Sequence, residues 1–155
     1  MPDIAHLVLD EAASADLAGR LAPALGPGDT VLLEGGIGAG KTHFARHVIL
    51  ALLQTPEDIP SPTFTLVQVY DTAEFEIWHT DLYRLDSPDQ VDELGVVDAM
   101  ETALCLVEWP DRLGDMAPGN ALQISFELVK EGTARQVSLS STDQTWHQRL
   151  AGFFQ

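Results

Sequence analysis

The chain has 155 residues, 45% of them hydrophobic, enough for one compact core and too few for two. Its 24 acidic residues outnumber 8 basic ones, and the resulting charge of −16 argues against unaided nucleic-acid binding and against anionic membrane surfaces. A lone cysteine excludes an internal disulfide, no apolar run approaches the ~20 residues of a bilayer span, and the start MPDIAHLVLDEA lacks a signal peptide's basic flank, so a soluble cytoplasmic protein is expected.

Residues Ile4–Leu9 read as an opening strand. From Glu11 to Leu25 the apolar positions Ala15, Leu17, Ala18, Leu21 and Leu25 fit a helix with one buried stripe, ended by Gly26-Pro27-Gly28-Asp29. Thr30–Glu34 is a short apolar strand feeding a glycine-rich turn, and helical spacing resumes over His43–Gln54. Two prolines make Ile59–Phe64 a loop. Thr65–Tyr70 and Phe75–Thr80 read as a strand hairpin. Ser87-Pro88-Asp89-Gln90 starts a helix, with Ser at the N-cap, and that helix stops near Gly95. Ala103–Val107 is a continuous apolar run, the mark of a strand covered on both faces. Ala121–Leu128 and Gln136–Leu139 form a second hairpin about Lys130-Glu131-Gly132, and Ser141 to Gln144 resembles a capping box that opens a last helix through Leu150. The pattern predicts an α/β protein, a mixed central sheet flanked by helices, in a single domain over residues 1–155.

Gly35-Gly36-Ile37-Gly38-Ala39-Gly40-Lys41-Thr42 fits the phosphate-binding P-loop pattern G-x-x-x-x-G-K-[ST], between a predicted strand and a helix that begins at Lys41. Such a turn aims backbone N–H groups at an anion beside a positive helix end. Lys41 then serves the β- and γ-phosphates, and the Thr42 hydroxyl serves Mg²⁺. A P-loop needs carboxylates opposite it, and two predicted strands run into one, at Glu108 and at Asp81. Glu108 either holds Mg²⁺, directly or through water, or orients the attacking water. Ser61-Pro62-Thr63-Phe64 reads equally as a switch segment bringing a hydroxyl to the metal and as an ordinary proline turn.

The segments GGIGAGKTHFAR, SPTFTLV, HTDLYRL and LVEWP, in this order and spacing, make the chain resemble the TsaE (formerly YjeE) family of bacterial ATPases of tRNA threonylcarbamoyladenosine biosynthesis. The resemblance runs from the Asp10–Leu25 helix to the Gly132 region. It implies a P-loop ATPase using ATP and Mg²⁺ with two partners, the transferase TsaD and its paralogue TsaB, and meeting tRNA only through them. It also implies catalytic roles for Lys41, Asp81 and Glu108, metal contacts by Thr42 and Glu108, and a switch role for Thr63. For nucleotide contact it implies Gly35, Gly38, Ala39, Gly40, Lys41 and Thr42 of the loop, with Trp109, Glu11, Asp111 and Gly132. Two positions depart from the family: Gly36-Ile37 replaces Asp-Leu in the loop, and Thr133 stands where Arg is usual, with Arg135 nearby as a substitute.

His43 and His47 have the four-residue spacing of a zinc pair, without the accompanying third ligand. Cys105 reads as a buried inert thiol, Trp146 as packing for the last helix, and His79 as strand packing or site support. The competing function classes are a small-molecule kinase, a GTPase and a pure nucleotide-binding module. The kinase reading suffers from having only eight basic residues, and the GTPase reading from the lack of an N-K-x-D motif, since Asn120 is the sole asparagine.

Overall fold

The computed structural model describes residues 2–154. In chain order it forms β1 (Asp3–Leu9), α1 (Glu11–Leu21), β2 (Thr30–Gly35), α2 (Lys41–Leu52), β3 (Val67–Asp71) and β4 (Glu76–Asp81). There follow α3 (Pro88–Asp92), α4 (Val96–Ala99), β5 (Leu104–Glu108), β6 (Leu122–Val129), β7 (Ala134–Ser140) and α5 (Gln144–Arg149). The strands make one mixed seven-stranded sheet in the order β1-β7-β6-β2-β5-β4-β3. β2 pairs in parallel with both β5 and β6, β4 pairs in parallel with β5, and the hairpins β3–β4 and β6–β7 and the pair β1–β7 are antiparallel.

The two apolar runs lie side by side at the centre. Val31 and Leu33 of β2, with Leu104 and Leu106 of β5, pack into the core under α1 and α2. Leu32, Cys105 and Val107 face the opposite core, built from Val91, Val96, Met100 and Leu113. A strand covered on both faces needs apolar residues at every position, so neither run alternates. Cys105 is fully buried, and that burial pushes its thiol up to about 12. Trp146 closes the first core from α5 and donates its indole N–H to Asn120 O at 2.7 Å.

The departures from expectation have local causes. α1 ends at Leu21, and residues Ala22–Ala24 tighten into a 3₁₀ turn, because Pro23 has no N–H to continue the helix. β3 begins at Val67, since Leu66 has a positive φ of 69° and donates its N–H back to Pro62 O. Ser87 makes no side-chain cap; Gln90 Oε1 instead accepts from Asp86 N at 2.7 Å. After Gly95, at φ +83°, a separate short helix α4 forms that the pattern did not indicate. Asp143, not Ser141, caps α5 by accepting from Thr145 N, while Ser141 Oγ donates to Ala121 O. Among the described residues no helix is long and apolar enough to cross a membrane.

Candidate functional site

Where β2 ends, Gly35 sits so close to β6 that an added Cβ would lie 2.5 Å from Phe126 O, a contact only glycine avoids. The chain then turns through residues 36–40 into α2, whose N-cap is Gly40 at φ +108°, with no side-chain cap. The first N–H groups of α2 are therefore unclaimed by a capping side chain, and they carry the helix's partial positive charge. Lys41, 5% exposed, donates from Nζ to Gly35 O at 2.6 Å and Gly36 O at 2.8 Å. The same ammonium lies 4.3 Å from the centre of the Trp109 ring. Burial lowers its pKa, against opposing pulls from Glu108 and then Asp81.

The carboxylates come together through strand register. Asp81 and Glu108, the last residues of β4 and β5, are direct partners across a parallel pair. Residues two apart on a strand share a face, so His79 and Asp81 stand on one side of β4. Glu108 is buried and takes the Thr42 hydroxyl at 2.7 Å on Oε1 and 2.9 Å on Oε2. His79 Nε2 approaches Glu108 Oε2 at 2.7 Å. Asp81 Oδ1 accepts from Tyr83 N at 3.0 Å, and Oδ2 from the Thr63 hydroxyl at 3.3 Å, which also contacts Ser61 Oγ at 2.7 Å. The proline loop is thus tied to the β4 carboxylate through the Thr63 hydroxyl, which Ser61 meets from the other side of Pro62.

These groups line a cavity of about 390 Å³ that brings Gly38, Gly40, Lys41, Thr42 and Thr63 together with Asp81, Glu108 and Trp109. Ala39 is buried in the core and does not line it. Trp109 adopts a left-handed backbone at φ 59°, and its ring lies 4.7 Å from that of Tyr83. The other expected positions fall elsewhere. Gly35 and Asp111 line a second cavity of about 590 Å³ that shares Trp109 with the first. Glu11 faces α2, with its carbonyl 3.2 Å from His43 Nε2. Gly132, at φ +87°, turns the chain between β6 and β7 and lines neither cavity. Arg84 is exposed, with its guanidinium 5.4 Å from the Phe64 ring. The rings of His43 and His47 meet edge to face at 4.6 Å, and the described residues hold no group of three or more metal-ligating side chains of the His, Cys, Asp and Glu types.

His79 and Tyr83 are site residues that sequence reasoning left undecided or missed. The His-x-Asp spacing on a predicted strand was the available signal for His79, because it puts both side chains on one face. Oxygen donors suit the magnesium that such a loop implies: the Thr42 hydroxyl and the Glu108 carboxylate are hard ligands already within 2.7 Å of each other.

A phosphate loop joining a central parallel strand to an uncapped helix, in a mixed sheet, defines a P-loop protein of the α/β class. Its fold matches the crystal structure of YdiB from Bacillus subtilis with a TM-score of 0.75, at 22% identity, covering 96% of this chain and 93% of that one. The family of the threonylcarbamoyl adenosine biosynthesis protein TsaE matches residues 8–137, and the chain belongs to it. It is 42% identical over 115 residues to the tRNA threonylcarbamoyladenosine biosynthesis protein TsaE of Rickettsia felis, covering 74% of this chain and 67% of that protein. To the protein of the same name from Treponema pallidum it is 33% identical over 132 residues, covering 84% and 93%.

Proposed function

We propose that the chain acts as one ATPase domain, binding and hydrolysing ATP with Mg²⁺ in support of threonylcarbamoyladenosine formation in tRNA. Its partners in this reading are TsaD and TsaB, and tRNA is met only through them. One observation supports the chemistry above all others: a buried carboxylate, Glu108, bonded to the P-loop hydroxyl of Thr42 and paired in register with Asp81.

In this reading the N-terminus of α2 receives the phosphates, and Lys41 exchanges the carbonyls of Gly35 and Gly36 for phosphate oxygens. Thr42 and Glu108 hold Mg²⁺, which when bound offsets charge on the β- and γ-phosphate oxygens. Asp81 orders Thr63 through its hydroxyl and, with Glu108, orients the water that attacks the γ-phosphorus. Hydrolysis is slow because Lys41 is the one Lys or Arg among the described residues lining the cavity where the terminal phosphoryl group would react, while Arg84 points to Phe64 outside it. A docked partner supplies the further order or cation, and a charge of −16 favours a basic face on that partner.

Glu108→Gln tests the chemistry. Removing a group used mainly in the transition state lowers single-turnover hydrolysis by about 10²–10³ while ATP affinity changes far less. Equal losses of affinity and rate, measured by calorimetry and rapid quench, would make Glu108 a structural residue.

A further inference from the structure

β7 delivers Arg135 against the phosphate loop, where the described residues leave two of its donor nitrogens without a partner. The residue is nine-tenths buried, and its Nε and Nη1 have no hydrogen-bond partner. None of the ion pairs among the described residues involves it. A Cβ added to Gly40 would lie 3.2 Å from Arg135 Nε, 3.4 Å from Cδ and 3.5 Å from Cζ. The guanidinium therefore packs on the last glycine of the loop, at the uncapped N-terminus of α2. Burying a cation with two idle donors is costly unless an anion completes it. Arg149 shows the satisfied alternative, with both Nη atoms on the Asp29 carboxylate.

The sheet order indicates which anion. β5 and β4, carrying Glu108 and Asp81, lie on one side of β2, whereas β7 lies on the other, beyond β6. Thr42 already turns toward Glu108, so the terminal phosphoryl group and its metal belong to the β5 side. Arg135 approaches from the opposite side, where Leu9, its partner on β1, leads into Asp10 and Glu11. A ligand lying along the loop presents its nucleoside end there.

We propose that Arg135 is a nucleotide-binding residue whose guanidinium holds the α-phosphate of a nucleoside di- or triphosphate on the loop. This rests on the P-loop reading above. Both ATP and ADP carry that phosphate, so both depend on the residue alike.

The test is calorimetric titration of the wild type, Arg135→Met and Arg135→Lys with ATP and with ADP, plus a melting curve of each without nucleotide. Arg135→Met is expected to weaken ATP and ADP by one common factor of about ten- to hundredfold. Its nucleotide-free melting temperature is expected to hold or rise, because methionine fills similar space without a desolvated charge. Arg135→Lys, which keeps the charge and loses the planar fork, should fall between. Unchanged affinities in both variants would overturn the proposal, and so would a loss for ATP alone, which would put the side chain on the γ-phosphate. A methionine variant that melts lower or fails to fold, beside a lysine variant that binds as the wild type does, would make Arg135 structural and overturn it too. Failure of the wild type to bind either nucleotide would instead remove the P-loop reading on which the proposal stands.

Discussion

His79 Nε2 lies 2.7 Å from Glu108 Oε2, with the two side chains 0% and 2% exposed. The tautomer with its proton on Nε2 serves this contact and leaves Nδ1, buried and unpartnered, as a bare acceptor. The imidazole thus aims one carboxylate oxygen while Thr42 occupies both. His79→Leu is expected to lower hydrolysis more than ATP affinity and to cost about 1–3 kcal/mol of stability, because the buried Glu108 carboxylate loses one of its hydrogen-bond donors. His79→Gln, whose amide N–H can reach the same oxygen, should recover most of the rate. Rates from single-turnover assays and melting curves on both variants decide it; equal defects in the two would reduce His79 to packing.

Lys41 couples the site to pH. Its burial lowers the ammonium's pKa below the ordinary 10.5. Over the range between the depressed and the ordinary value the unfolded chain holds a proton that the folded chain has shed. The Lys41 contribution to stability therefore rises with pH through that range, while the cation available to phosphate disappears. ATP affinity is expected to fall on the alkaline side before an exposed lysine would titrate. Lys41→Ala should show affinity for ATP and ADP reduced about ten- to hundredfold at neutral pH and no such alkaline fall. Calorimetry from neutral to alkaline pH on both proteins checks this, and unchanged affinity in the variant would remove Lys41 from the phosphate site.

Trp109 reports on the same lysine. With the Lys41 ammonium 4.3 Å from its ring, nucleotide that draws the cation away changes the ring's surroundings. Intrinsic fluorescence should shift on adding ATP or ADP, and Trp109→Phe should abolish most of that change. Trp146, locked in the core by its bond to Asn120 O, and Trp78 on β4 are the controls. Loss of the signal in a Trp146 variant would place the reporter wrongly.

Much of this site is readable one segment at a time. The glycine loop, the apolar β2 and β5 and the carboxylates at strand ends are local patterns with local causes, and the structure brings Lys41, Thr42, Asp81 and Glu108 around one cavity. What the chain order conceals is lateral placement. That β4 pairs in parallel with β5, setting Asp81 opposite Glu108, depends on contacts between segments far apart in sequence. The same holds for Arg135, whose nearness to Gly40 follows from β7 folding back beside β6. Single-residue conformations are equally hidden: the positive φ of Leu66 delays β3, and Gly95, where the expected helix does stop, opens a second short helix α4 that the pattern does not indicate. Pro23 was visible, and its missing N–H is the reason α1 stops early.

In the proposed function this chain hydrolyses ATP slowly by itself and needs its partners for speed. Single-turnover hydrolysis at saturating ATP and Mg²⁺, with and without TsaB, TsaD and tRNA and at two salt concentrations, addresses it directly. A slow isolated chain and acceleration by the partners are expected, up to about 10³–10⁵ if they supply an arginine to the transferring phosphoryl group. That acceleration should weaken at high salt, because the −16 charge favours a basic docking face. A high rate for the isolated chain that partners and salt leave unchanged would contradict it.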